Sequence, residues 1–124
     1  MSKAQFLKQN QKKGERYAGL MLGENGKPDY HLFIIPGEAE KVAWAKAKEW
    51  AKKAGGDLPT RREQRVLFAN AKEHFKPDWY WSGEQHTSLS VLAWIQLFDY
   101  GNQNDSNKSS QGRARAVRRL LIIE

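Results

Sequence analysis

The segment RARAVRRL, residues 113–120, carries four arginines: Arg113, Arg115, Arg118 and Arg119. Guanidinium groups at that density have two uses. On a free tail they contact nucleic-acid phosphates, additively and with strong salt dependence. On a strand of a folded domain they need carboxylate or carbonyl partners, because an arginine buried unpaired costs several kcal/mol. The preceding stretch GNQNDSNKSSQG, residues 101–112, holds no large apolar side chain and reads as a polar loop. A second basic group, Lys3, Lys8, Lys12, Lys13 and Arg16, lies near the start, opposed there only by Glu15.

Other chemistry is sparse. His31, His74 and His86 are scattered along the chain and form no metal-ligand pattern. Glu84 and His86 could form an acid–base pair, but no activated nucleophile accompanies them. Asp99, Asn102, Asn104 and Asp105 could offer oxygens to calcium, yet their spacing is not that of an EF-hand. The chain has no cysteine, which removes disulfides, thiolate zinc sites and cysteine nucleophiles. Glycine-rich phosphate loops and the H-E-x-x-H zinc motif are absent. The sequence therefore predicts a protein that binds and does not catalyse, with no cofactor and no metal. Trp79, Trp81 and Trp94 could stack on a sugar or a base, which needs an exposed ring beside polar groups. Core positions are expected for Trp81 and Trp94, as for the helical Trp44 and Trp50.

At 124 residues and 14.3 kDa the chain fits one domain, able to bury a core without covalent staples. Lysine and arginine total 21 against 14 acidic residues, a net charge of +7. That excess suits either a polyanionic partner or a soluble protein with spread charge. No apolar run approaches the roughly 18–20 residues of a membrane span. The start, MSKAQFLKQNQKKGERYAG, lacks the apolar region of a secretory signal. The expectation is a cytoplasmic protein without a membrane partner, or part of a particle assembled there; a homo-oligomer is compatible.

The elements that would position these residues follow from periodicity. Residues 1–15 are polar, a turn of helix or a frayed end. Residues 17–22 and 30–35 are apolar runs around the turn signal GENGKPD and predict a hairpin. GEAEKVAWAKAKEWAKKA predicts a helix with Ala43, Ala47, Trp50 and Ala54 on one face, ended by Gly55-Gly56. A second helix begins at Thr60, whose spacing to Glu63 fits a capping box, and runs to Phe75. WYWSGEQ and AWIQLFDYG read as strands. If Trp94, Gln96 and Phe98 share one face, Ile95 and Leu97 share the other. That strand is then either covered on both sides or offers a patch to a partner. RARAVRRLLII predicts one closing strand, with Arg113, Arg115, Val117 and Arg119 opposite Ala114, Ala116, Arg118 and Leu120. The class is α+β with antiparallel pairing.

The ordered set LPTRRE, YWSGE, AW, GNQN and RARAVRR resembles the Lcl carboxy-terminal domain family, common in phage and prophage genomes. The match covers about residues 55–120. That family is similar to the C-type-lectin-like fold, also used by formylglycine-generating-enzyme-like domains and by retroelement-diversified variable proteins. The resemblance implies a lectin-like domain of two helices and short antiparallel strands, preceded by the hairpin. Residues 1–124 then divide into a polar segment (1–15), the hairpin and first helix (16–54) and the lectin-like core (55–124). It implies a closing strand for the arginines and places Arg115 in its most recurrent part; alternation sets Arg118 among the small and apolar residues, so Arg115 and Arg118 are expected to be more structural than Arg113 and Arg119. It implies a ligand-facing set of Ser82, Glu84, Trp94, Gln96, Asn102, Asn104, Ser106 and Asn107. It also implies a protein or glycan partner, in a phage setting a host or defence protein. Formylglycine-generating chemistry uses cysteines and does not carry over. The alternative is a basic nucleic-acid-binding protein.

Overall fold

The computed structural model describes residues 1–123. Among these residues three α-helices and eight strands form an α+β fold. Helix α1 (Lys3–Asn10) precedes β1 (Arg16–Met21) and β2 (Tyr30–Ile34). Strand β3 (Ala39–Val42), α2 (Trp44–Lys53) and α3 (Arg61–Ala71, extended by a 3-10 turn) follow. Strands β4 (Trp79–Gln85), β5 (Leu92–Leu97), β6 (Gln103–Asn107), β7 (Gly112–Ala114) and β8 (Val117–Leu121) complete the chain. Strands β1, β2 and β8 make a three-stranded sheet in that order, and a second sheet has the order β3-β7-β4-β5-β6. All pairings are antiparallel except β4 with β7.

The larger sheet is covered on both faces. On one, Trp44, Ala47 and Ala51 of α2 pack on Trp81, Ala93, Ile95 and Ala114. On the other, Leu67 and Ala71 of α3 pack with Tyr80 and Phe98, and this core continues into Ala18, Met21, Leu32 and Ile34 of the small sheet. Strand β5 is thus the doubly covered strand that its two apolar faces allowed. The buried indoles have partners: Trp44 Nε1 donates to the Ser82 carbonyl and Trp81 Nε1 to the Val42 carbonyl, each at 2.8 Å.

The hairpin forms with the expected pairing and a bulge near Ala18. The polar start takes the helical of its two alternatives, set by a capping box between Ser2 and Gln5, with Phe6 packed 4.2 Å from the His31 ring. Three expectations change. The first long helix starts only at Trp44; Ala39–Val42 is a strand because β7 offers it a ladder, which outweighs the helix propensity of Ala, Glu and Lys. Its buried face is Trp44, Ala47 and Ala51, with Trp50 half-buried and Ala54 exposed. The 101–112 stretch is not all loop: Gly101, at φ +86°, turns the chain so that Gln103–Asn107 pairs along β5 as a polar edge strand. The arginine segment is two strands. β7 joins the large sheet and β8 the small one, so strict alternation breaks at Arg115-Ala116, and Ala116 and Val117 are both buried. Gly112 is fixed by the Trp79 ring, which a Cβ there would meet at 2.2 Å.

Candidate functional site

The four late arginines are half-buried and paired within the fold. Arg119 Nε and Nη2 donate to the two carboxylate oxygens of Glu63 at 2.7 and 2.8 Å, and Nη1 donates to Asp57 at 3.0 Å. Glu63 is completely buried and also accepts from the Tyr30 hydroxyl and the Thr60 N–H. Burial works against the Glu63 charge, but the bonds from Arg119, Tyr30 and Thr60 outweigh it and hold the carboxyl below its ordinary value. Burial and then Glu63 push the Tyr30 hydroxyl up to about 12.

Arg118 forks onto the buried Glu15 at 2.8 Å through Nε and Nη2 and also donates to the Asn10 carbonyl, tying α1 to β8. Arg113 donates to Asp78 and Glu38. Arg115 alone lacks a carboxylate; it donates to the carbonyls of His74 and Ile35, and burial draws its pKa down. Arg119 is therefore at least as structural as Arg115, contrary to the expected ranking. The alternation assumed one unbroken strand, and the break turns Arg119 towards α3.

The set proposed from the resemblance does not assemble. Ser82 and Gln96 are fully buried. The Ser82 hydroxyl accepts from the Glu84 N–H, and the Gln96 amide donates to the Leu97 and Gly101 carbonyls. Neither can face a ligand. Register pairs Trp94 with Asp105 on one face of the sheet and puts Asn104 opposite Ile95 on the other, where Ser106 also falls. Asn102, Asn104 and Asn107 are exposed. Asn107 caps its own turn by accepting from Ser109.

Trp94 is half-buried, not core; the Arg61 guanidinium lies 3.6 Å over its ring and His86 stacks on it at 5.4 Å. The ring that a sugar or base would need is already in contact. Glu84 and His86 work separately: the carboxylate accepts from the Arg61 N–H, while His86 Nδ1 accepts from the N–H groups of Ser88 and Leu89. Among the described residues no group of three or more His, Cys, Asp or Glu is placed to hold a metal ion.

A different surface is concave. The start of α3, the β1–β2 turn and the end of β8 enclose connected hollows that meet at Arg62. One, of about 460 Å³, is lined by Tyr30, Arg61, Arg62, Arg65, Glu24 and Glu84. The next, of about 400 Å³, is lined by Leu22, Pro28, Tyr30 and Leu121 with the cations Lys27, Arg62 and Arg119. A third hollow adds Leu20 and Val66. Arg62 crosses between them, pairing with Glu24 at 2.6 Å and donating to the Leu22 carbonyl. Leu20, Leu22 and Leu121 are 50%, 64% and 53% exposed, large for leucines beside a core.

Asp29 accepts from the Gly23 N–H at 2.7 Å and fixes the turn that forms one wall. Sequence reading marked GENGKPD as a turn and placed residues 60–75 on a helix without singling out Arg61, Arg62 or Arg65. Only the fold brings them together, since the two segments lie about 40 residues apart, as in the bond from Arg62 to Leu22. No family model matches the chain, and the search of curated proteins finds no match.

Proposed function

We propose that the chain is a non-enzymatic binding protein that docks a protein partner in the groove between the β1–β2 turn and the start of α3. The observation that carries this reading is the convergence of the concave surface, three exposed leucines and the α3 arginines on one place. A C-type-lectin-like scaffold suits it: β8 returns to pair with β2, so the chain closes on its own hairpin and leaves turns free for contact. In the phage setting that the resemblance implies, the partner is a host or defence protein. A glycan is less well served, because Trp94 is already stacked under Arg61. The nucleic-acid reading loses its four terminal arginines to internal pairs and keeps the first basic group, Lys3, Lys8, Lys12, Lys13 and Arg16, and the arginines at the start of α3. No helix among the described residues is long and apolar enough to cross a membrane.

The test is capture of partners from host lysate by wild type and by Leu22→Asp/Leu121→Asp. Capture that resists nuclease and disappears in the variant, with an unchanged melting temperature, supports the groove. Capture that survives in the variant but is lost on substituting Asn104 and Asn107 returns the site to the β6 edge.

A further inference from the structure

We infer that the occupant of the groove is an acidic, apolar peptide segment of another protein, whose carboxylate takes the place of Glu24 on Arg62 and whose large side chain enters the Leu22–Tyr30–Leu121 hollow. This rests on the groove reading above and specifies its ligand. The first ground is the Arg62–Glu24 pair. Glu24 is 71% exposed on a turn and Arg62 38% exposed, so their contact is a weak surface ion pair that another carboxylate can replace. Arg62 already presents its planar fork at the junction of the hollows, the geometry that suits carboxylates.

The second ground is the charge balance. Arg65 has no carboxylate partner among the described residues, and Arg61 uses its guanidinium on Trp94 and Gln103. With Lys27, these leave the groove cationic although Glu24 and Glu84 line it. The third is the adjoining apolar wall of Leu22, Pro28, Tyr30 and Leu121, which fits an amino-acid side chain and gives a phosphodiester nothing to bury. A second copy of this chain is a poor occupant, since both partners would carry a net charge of +7.

The probe is a short fluorescein-labelled peptide alternating glutamate with leucine, compared with its glutamine-for-glutamate and alanine-for-leucine counterparts. The glutamate–leucine peptide should bind the wild-type protein best. Arg62→Ala with Arg65→Ala should weaken it about tenfold, the size of a lost charged hydrogen bond. Leu22→Ser with Leu121→Ser should weaken it comparably. Glu24→Gln should tighten it about threefold by removing the internal competitor, an effect that a merely structural Glu24 would not produce. Lys41→Ala with Lys53→Ala, neither of which lines the groove, should leave it unchanged.

Equal binding of the glutamine peptide overturns the carboxylate inference while the groove reading stands. Equal weakening by the lysine variant shows bulk charge attraction and overturns it too. Indifference to the leucine variant removes the inference and the groove together. A wild-type dimer in gel filtration that the leucine variant abolishes would give the groove to a second copy.

Discussion

Two groups of arginine in this chain meet opposite fates. Arg113, Arg118 and Arg119 lie on the closing strands and Arg115 at the break between them, and the fold pairs each with carboxylates or carbonyls. Arg61, Arg62 and Arg65 open α3 nearer the surface: Arg61 is held by an indole and the Gln103 amide, Arg62 by an exposed glutamate and the Leu22 carbonyl, and Arg65 by no carboxylate among the described residues. The same side chain is mortar in one place and open binding capacity in the other. The difference lies in the partner's burial. Glu63 and Glu15 are 0% and 3% exposed and cannot be left alone, whereas Glu24 can return to water at little cost.

The largest effect that tests this contrast is on stability. Arg119→Ala strands the buried Glu63 and should cost about 3–5 kcal/mol in denaturant unfolding. Arg118→Ala, which strands Glu15, should come next. Arg62→Ala should cost no more than about 1 kcal/mol. Similar losses at Arg119 and Arg62 would erase the distinction.

Acidity is the second lever. Glu63 and Glu15 have folded-state pKa values below their ordinary 4.5. For both, burial pushes upward and the arginine bonds and backbone N–H groups more than compensate. A depressed carboxylate contributes stability that is complete above its ordinary value and is lost as pH falls through the lower folded value. The melting temperature should therefore hold down to about the ordinary carboxylate range and fall below it. Glu63→Gln should lower stability at neutral pH and shrink the acid-dependent part. Tyr30 gives the opposite limb: raised from 10 to about 12, its contribution is complete below 10 and fades as pH climbs through the folded value.

A smaller effect sits where the two groups touch. Thr60 accepts from the Glu63 N–H at 3.1 Å, so it caps α3 and helps set the carboxylate that holds Arg119. Thr60→Ala should cost about 1 kcal/mol, and Thr60→Ser should recover most of it. Peptide affinity at the groove should not follow this loss at temperatures where the variant is folded.

The Thr60–Glu63 box was legible because it is a local signal, and so were the hairpin, the α+β class and strand β4. The second role of Glu63 was not: nothing near it in sequence announces an arginine 56 positions away. The division of RARAVRRL was hidden for a similar reason. Its alternation is that of one strand, and only the two separate sheets show why Ala116 and Val117 are both buried. The groove joins a turn to a helix start, a juxtaposition that no spacing records. Strand β6 was missed because GNQNDSNKSSQG carries none of the apolar alternation by which strands are recognised.

That same polarity leads to the smallest expected effect. β6 is an edge strand, and its outer ladder groups face water. Polar side chains there discourage pairing with another chain. Asn104 is exposed, its carboxamide only accepts from the next N–H at 2.8 Å, and its backbone carries the pairing with Ile95. Asn104→Ala should change stability by less than about 0.5 kcal/mol and leave peptide affinity at the groove unchanged. Asn104→Val, combined with Ser106→Val on the same face, should keep the monomer's fold but raise its tendency to associate at high concentration. Light scattering separates the two outcomes. If the alanine variant alone abolishes partner capture, the ligand sits on the β6 edge, and the open arginines of α3 serve solubility instead of recognition.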